Sequence, residues 1–411
     1  MATTSAPLNT KLSQPDAPDV RRDERARSAG TGLAGWLLIV LVFVFSVEFA
    51  CRVEDWVMYR MPILSRYRSL DDLVVRDAMG MHGRPNARFE KWVMNDLGMR
   101  GPPTTKTPAP GTVRVITVGA SETFGLRESP NREYPRQLED SLNAQVSRAS
   151  CSRPEIRRFE VLNAAFAGMG LPTIEQDVRN RLAPLGAKIV VIYPSPASYL
   201  DEQAPAAARP DSSGQAEQAM PLRRALYPRA LSRMREQLKQ ALPEVIKTPL
   251  RARQTRAMVA AHPPGWRFES VPSDRLAQYD ADLRRLIGTI RRVGATPVLV
   301  THANEFVGRP SADAPMLIAW EKFYPRATGR TIIAVDSVAR ALTIAAGADS
   351  GVVTVDAART LAGQPLSAFA DFVHFTDLGA SVMAGVVRDG VVGAVCSAVE
   401  SAAPADRGGA R

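Results

Sequence analysis

The 411-residue chain is 45% hydrophobic and 23% charged, which supplies a packed core and excludes wholesale disorder. Its formal net charge is +10, but ten basic and only two acidic side chains fall between Pro221 and Arg256, so the surplus is local. With no zinc-finger spacing and no aromatic-basic RNA motif, nucleic acid ranks behind a solvated helical face and a membrane-facing surface.

Residues 1–27 are polar and rich in Pro, Ser and Thr, and predict a disordered cytoplasmic tail. Ser28–Val47 is a charge-free run of twenty residues with "WLLIVLVFVF" at its centre, long enough to cross the hydrocarbon layer as a helix. Lys11, Arg21, Arg22, Arg25 and Arg27 precede it, against Arg52, Arg60 and Arg66 after it, a bias toward an inside N-terminus. No small-x-small cleavage site closes the run, and Glu48-Phe49 before Cys51 suit a lipoprotein site poorly. An uncleaved, single-pass inner-membrane anchor is expected, with everything after residue 50 extracytoplasmic.

Residues 48–110 form a lead-in ending in the turn-rich "NDLGMRGPPTTKTPAPG". Strands and helices then alternate over a domain spanning 111–400. Strand 113–118 precedes a helix near Pro135–Ala144. Strand 159–165 precedes a helix from Thr173 to about Leu185, and "KIVVIY" (188–193) is a strand apolar enough for burial on both faces. Residues 201–272 break the pattern as a basic insertion, capping the site or touching the membrane surface. Ser273 reads as the N-cap of the next helix, which puts Leu276, Tyr279, Leu283, Leu286, Ile287 and Ile290 on one face. Strand 296–302, a helix near Asp336–Ala346, strand 352–356 and a helix from about Thr376 to Val399 follow, and 401–411 is an unstructured tail. This order predicts an α/β fold with a parallel sheet covered on both faces, in which ligands bind beyond the carboxyl ends of the strands.

Ser121 stands at such an end, in "VRVITVGASETFG" (113–125). A serine needs a base and an oxyanion stabiliser before it can attack. Of the histidines, His82 precedes the sheet, His262 lies in the insertion and His302 ends a strand. His374 lies in "FADFVHFTDLGAS" with Asp371 three residues earlier, near enough to orient the imidazole. No CxxC or Cys/His cluster exists, so neither a metal nor another cofactor is expected. Cys151 and Cys396 either form a disulfide in an oxidising compartment or remain two buried thiols.

"VITVGASETFG", "VLNAAFAGMG" and "FADFVHFTDLGA" resemble three of the four marker blocks of the SGNH (GDSL-type) hydrolases, over roughly residues 95–400; "NDLGMRG" is similar to the lead-in of membrane-anchored members. The resemblance implies a flavodoxin-like three-layer αβα sandwich and acyl transfer through Ser121, with His374 as base and Asp371 as its orienter. It also implies an oxyanion hole from the N–H groups of Ser121 and Gly168. Ala120 replaces the aspartate of Gly-Asp-Ser, which is no triad member. The third block departs more: "PSPASYL" stands where Gly-x-Asn-Asp is expected, with Ala197 near the asparagine. Ser195, Ser198 or Tyr199 could supply the missing donor through a hydroxyl, or be ordinary loop residues.

The expected function is a membrane-anchored serine ester hydrolase, with the bilayer as partner and an acylated envelope polysaccharide or glycolipid as substrate. An O-acyltransferase on the same fold and a non-catalytic scaffold or carbohydrate-binding protein are the alternatives.

Overall fold

The computed structural model describes residues 20–151, 153–207, 227–309 and 314–400, without the side chains of 20–31, 314 and 398–400. The first nineteen residues of the expected cytoplasmic tail, residues 208–226 of the insertion (with Arg223 and Arg224) and the tail 401–411 lie outside the described residues.

Helix α1 (Val20–Tyr59) contains the apolar run, and its span Gly32–Tyr59 is long and apolar enough to cross a membrane. None of that span's apolar window is buried inside the molecule; the side chains from Leu37 to Phe45 are all exposed. The helix therefore starts before the expected tail ends and continues twelve residues past Val47. Two further spans, Gly329–Ser350 and Asp377–Ser397, are also long and apolar enough, but they are shorter and less apolar, and 44% and 50% of their windows are buried inside the molecule.

The lead-in is more than a turn-rich approach. Hairpins β1–β2 (Val74–Asp77, Gly80–Gly83) and β3–β4 (Arg88–Phe89, Trp92–Val93) place Met61, Leu73, Met81, Phe89, Met94 and Met99 in the same core as the sheet. Strands this short show no alternation, which is why composition reads them as loop.

β5 (Thr112–Gly119) is followed by the one-turn α2 (Ser121–Phe124), α3 (Tyr134–Ala144) and the short α4 (Val146–Ala149). β6 (Arg158–Asn163) leads to α5 (Leu171–Asp177), continued by a wide π turn through Leu182 and a 3-10 turn to Leu185. This helix begins ahead of Thr173 because Pro172 is accommodated in its first turn, where no N–H is needed. β7 (Ile189–Tyr193) precedes the insertion helices α6 (Arg229–Ala241) and α7 (Glu244–Ala260). α8 (Ser273–Arg292) is capped by Pro272, so Ser273 is its first helical residue rather than its cap. β8 (Thr296–Val300), α9 (Ala314–Phe323), α10 (Gly329–Ser350), β9 (Val353–Val355), α11 (Ala357–Ala362) and α12 (Asp377–Glu400) complete the order.

The five strands form one parallel sheet in the order β6-β5-β7-β8-β9. Alternate residues serve opposite cores. Ile116, Val118, Val190, Ile192 and Leu299 meet α5, α8 and α10, while Val115, Val161, Val191 and Val298 meet α3 and α12. This is an αβα sandwich with the flavodoxin-like strand order, and its chain reversal lies between β5 and β7. Thr117 pairs with Asn163 and Gly119 with Tyr193, so the strand ends that carry Ser121, Asn163 and Ser195 are level.

The insertion helices are tied to α1. Glu48 accepts from the backbone N–H of Arg229 and Ala230 at 3.0 and 2.9 Å, and Arg229 pairs with Asp55 at 2.8 Å. Part of the basic surplus is thus matched by acids outside the segment, Arg229 by Asp55 and Glu90 and Arg233 by Glu54 and Asp55, while Glu244 pairs with Lys247 and Arg251. Cys151 is bonded to Cys396, Cα atoms 5.6 Å apart, joining the loop before β6 to α12.

Candidate active site

The turn after β5 is held from behind. A Cβ at Gly119 would lie 2.7 Å from the carbonyl oxygen of Tyr193, so only glycine lets the strand end pack this closely on β7. Asn163 Nδ2 donates to the carbonyl of Thr123 at 2.9 Å. Arg100, from the lead-in, donates to the carbonyls of Phe124 and Gly125 and pairs with Glu133 at 3.0 Å, both side chains 3% exposed. Neither role is readable from spacing, since the partners are brought in by other elements.

Ser121 opens α2, where a first-turn N–H has no acceptor within its own helix. Its Oγ is 2.8 Å from His374 Nε2, and His374 Nδ1 is 2.7 and 2.9 Å from the two oxygens of Asp371. Asp371 and His374 sit in a tight loop closed by Ala370 N–H donating to the His374 carbonyl at 2.8 Å. Asp371 Oδ1 also accepts from the N–H of Val373 and His374, and Oδ2 lies 3.2 Å from Arg127 Nε. Trp320 of α9 stacks on Phe372 at 5.5 Å and supports this loop from the side; "MLIAW" (316–320) is the apolar run that betrays the helix.

Burial opposes charge on both members of the pair, but their mutual hydrogen bond and attraction win. The Asp371 carboxyl is held down at about 2, and the His374 imidazole is raised above its ordinary value, with Asp371 the main cause and Glu122 a further one. Nδ1–H therefore points at Asp371, leaving Nε2 to accept from Ser121.

Gly168 follows β6 with φ +84°, and a Cβ there would meet nothing within 4 Å. The backbone conformation, not space, asks for glycine. Gly168, Gly170, Thr173, Ser198, Asp201, Gln203 and Arg76 are among the residues lining a cleft of about 390 Å³.

Of the expected third donors, Ser198 Oγ donates to the carbonyl of Ser195 at 2.8 Å, and Ser195 Oγ faces Glu122 Oε1 at 3.5 Å. Both hydroxyls thus have protein acceptors. Tyr199 is buried and donates to Asp282 at 2.7 Å, which makes it a core residue. Ala197 is buried in the apolar cluster. Among the described residues no group of three or more His, Cys, Asp or Glu is placed to hold a metal ion.

The arrangement absent from the sequence reading is a second buried chain behind Ser121. Glu122 Oε2 lies 3.3 Å from Ser121 Oγ, as the longer alternative to Nε2 for the one hydroxyl proton, and Oε1 lies 3.3 Å from His302 Nε2. His302 Nδ1 lies 2.5 Å from Asp336, which also accepts from Asn304 at 2.7 Å. The polar "THANEF" at the end of an apolar strand is the one sequence signal for it.

The site is that of an α/β-sandwich protein with a Ser-His-Asp constellation at the sheet's topological switch point. Solved structures similar to this chain include three that are matched over most of their own length. They are an alpha/beta hydrolase enzyme from the metagenome of Lake Arreo, Spain (13% identity, 69% of this chain and 96% of that one, TM-score 0.39), an acetylxylan esterase from Geobacillus stearothermophilus (13%, 68% and 94%, 0.37) and a putative lipolytic protein of the G-D-S-L family from Desulfitobacterium hafniense (9%, 67% and 98%, 0.37). No family model and no curated protein matches the sequence.

Proposed function

We propose that the chain is a membrane-anchored serine ester hydrolase that removes acyl groups from an envelope carbohydrate. The observation that carries this reading is the run Ser121 Oγ–His374 Nε2–Asp371 at 2.8 and 2.7 Å, sited where α/β sheets bind ligands. The hydroxyl proton passes to Nε2 as Oγ bonds to the acyl carbon, and the carbonyl electron pair moves to its oxygen. N–H groups of Ser121 and Gly168 receive that oxyanion. The intermediate collapses, the leaving sugar oxygen takes the proton from Nε2, and water then repeats the sequence on the acyl-enzyme. Location supports the substrate class: a site held outside the membrane by the anchor meets envelope carbohydrate.

The exposed apolar surface of α1 supports the anchor, with its N-terminus inside on the charge bias, and the insertion helices tied to α1 support contact with the membrane surface. The test is covalent labelling of the full chain in detergent by a fluorophosphonate. Ser121 is expected to be the labelled residue, and His374→Ala to abolish labelling. A folded wild type that fails to label, beside a serine esterase that does, overturns the hydrolase reading. Short acyl esters and acetylated sugars then identify the substrate.

A further inference from the structure

Glu122 is 3% exposed and lies beneath Ser121, with one carboxylate oxygen on the serine hydroxyl and the other on His302. His302 is 1% exposed, and each of its ring nitrogens faces a carboxylate: Nε2 faces Glu122 at 3.3 Å and Nδ1 faces Asp336 at 2.5 Å. Ionised carboxylates only accept, so both contacts are hydrogen bonds only if the ring carries both protons. The three groups together then hold one net negative charge. Tyr193 stacks on the ring at 5.5 Å, and Asn304 fixes the far oxygen of Asp336, so no member is free to turn.

We propose that Glu122, locked by the His302–Asp336 pair, is a positioning residue. It fixes the Ser121 hydroxyl and lends negative charge to the imidazolium that His374 becomes on taking the serine proton. The inference rests on the hydrolase reading above. When Nε2 of His374 is bare, the hydroxyl donates to it at 2.8 Å; when Nε2 is protonated, the hydroxyl has Glu122 to donate to at 3.3 Å. The resting serine therefore has an acceptor whether or not His374 carries a proton from solvent, and once Oγ has given up its own proton the part left to Glu122 is its charge.

The titration behaviour agrees. Burial opposes the charge on Glu122 and on His302, yet their contacts outweigh it, holding Glu122 below the usual carboxylate range and His302 up at about 10. The ionisable groups facing Glu122 are His302, His374 and the phenols of Tyr134, Tyr193 and Tyr324; those facing His374 are Asp371, Arg127 and Glu122. The phenols are all pushed above their ordinary range and stay neutral, so the histidines are what Glu122 acts on.

Two measurements on the full chain in detergent test this. In the pH profile of the fluorophosphonate labelling rate, Glu122→Gln keeps the shape and removes the charge. Its acid limb should move down by about one pH unit, while the plateau falls about tenfold. Asp336→Asn should act in the same direction, and the double variant should do no more than Glu122→Gln alone. A limb that stays in place or rises, or losses that simply add, overturns the proposal. The second measurement needs no turnover: ¹⁵N-histidine spectra of the wild type should show one imidazole doubly protonated at about pH 8, a signal assigned by its absence in His302→Gln. If His302 titrates near its ordinary value, about 6.5, the proposal fails whatever the labelling shows. If the spectra hold but Ser121 never labels, it is the hydrolase reading that fails, and with it the role assigned to Glu122.

Discussion

Asp371→Asn separates what this carboxylate does by charge from what it does by hydrogen bonding. Oδ1 accepts from backbone N–H groups at 3.2 and 3.0 Å as well as from Nδ1 at 2.7 Å. Those two backbone donors favour the amide oxygen of Asn in the Oδ1 position, with the NH2 at Oδ2, where it faces the half-exposed Arg127 and lies 2.9 Å from Nδ1. Nδ1–H keeps its acceptor, and Nε2 stays bare for the serine proton. What disappears is one negative charge beside the imidazolium. At about 4 Å and an effective dielectric near 20 that charge contributes ~4 kcal/mol. Arg127, 3.2 Å from Oδ2, already offsets part of it, which leaves a net loss of roughly 2–3 kcal/mol, or about a hundredfold in rate. A reversed tautomer costs more, on the order of ten-thousandfold. The pH dependence has a definite sign. On the proposed hydrolase reading labelling rises as His374 loses its proton, and Asp371 is the main cause of that histidine's raised pKa. Removing the charge moves the acid limb to lower pH while the plateau falls. The assay is the fluorophosphonate rate on the full chain from about pH 4 to about pH 9, with melting curves alongside. A limb fixed in place, or a ten-thousandfold loss in a well-folded variant, refutes the claim that the backbone pins the amide.

Arg100→Met leaves Glu133 buried without its cation and frees the carbonyls of Phe124 and Gly125; a loss of about 3–5 kcal/mol in chemical denaturation is expected, with slower Ser121 labelling. Burial raises the Glu128 carboxyl to about 7, so its ionisation in the folded state costs stability as pH rises from the unfolded value of 4.5 through 7. Glu128→Gln should match wild type at about pH 4 and exceed it by up to about 3 kcal/mol at about pH 8, and a difference that is the same at both values refutes this. Cys396→Ser opens a link across 245 residues and should lower stability by about 2–4 kcal/mol relative to wild type kept from reductant, with the difference vanishing once the wild type is reduced.

The sheet was legible because its strands are β-branched runs buried on both faces, as in Ile189–Tyr193. Ser121, Asp371 and His374 were legible because each sits in a short motif just beyond a sheet strand, and Asp371 and His374 share one loop. The rest was hidden by distance along the chain. Glu122, His302 and Asp336 come from α2, the end of β8 and α10, and nothing local marks 302 and 336 as partners. Arg100 hides in a segment whose strands are two to four residues long. The helix runs past the expected anchor for a different reason. Glu48, Arg52 and Asp55 interrupt the apolar run, yet they pair with one another or with Arg229, so the helix carries them on to Tyr59.

The continuity of α1 into the domain bears on which molecules can be reached. Tyr59 accepts from Arg88 at 2.8 Å through its carbonyl, and Met61 is already inside the core, so no slack chain separates the helix from the folded body. Residues 48–110, had they been a loose leash, would roam through roughly 45 Å. With α1 seated in a bilayer as proposed, the body stands on a stiff post instead, and its opening patrols one altitude above the lipid. On the proposed reading substrate choice then depends on geography as well as chemistry: acyl groups passing at that height are within reach, and identical groups further out are not.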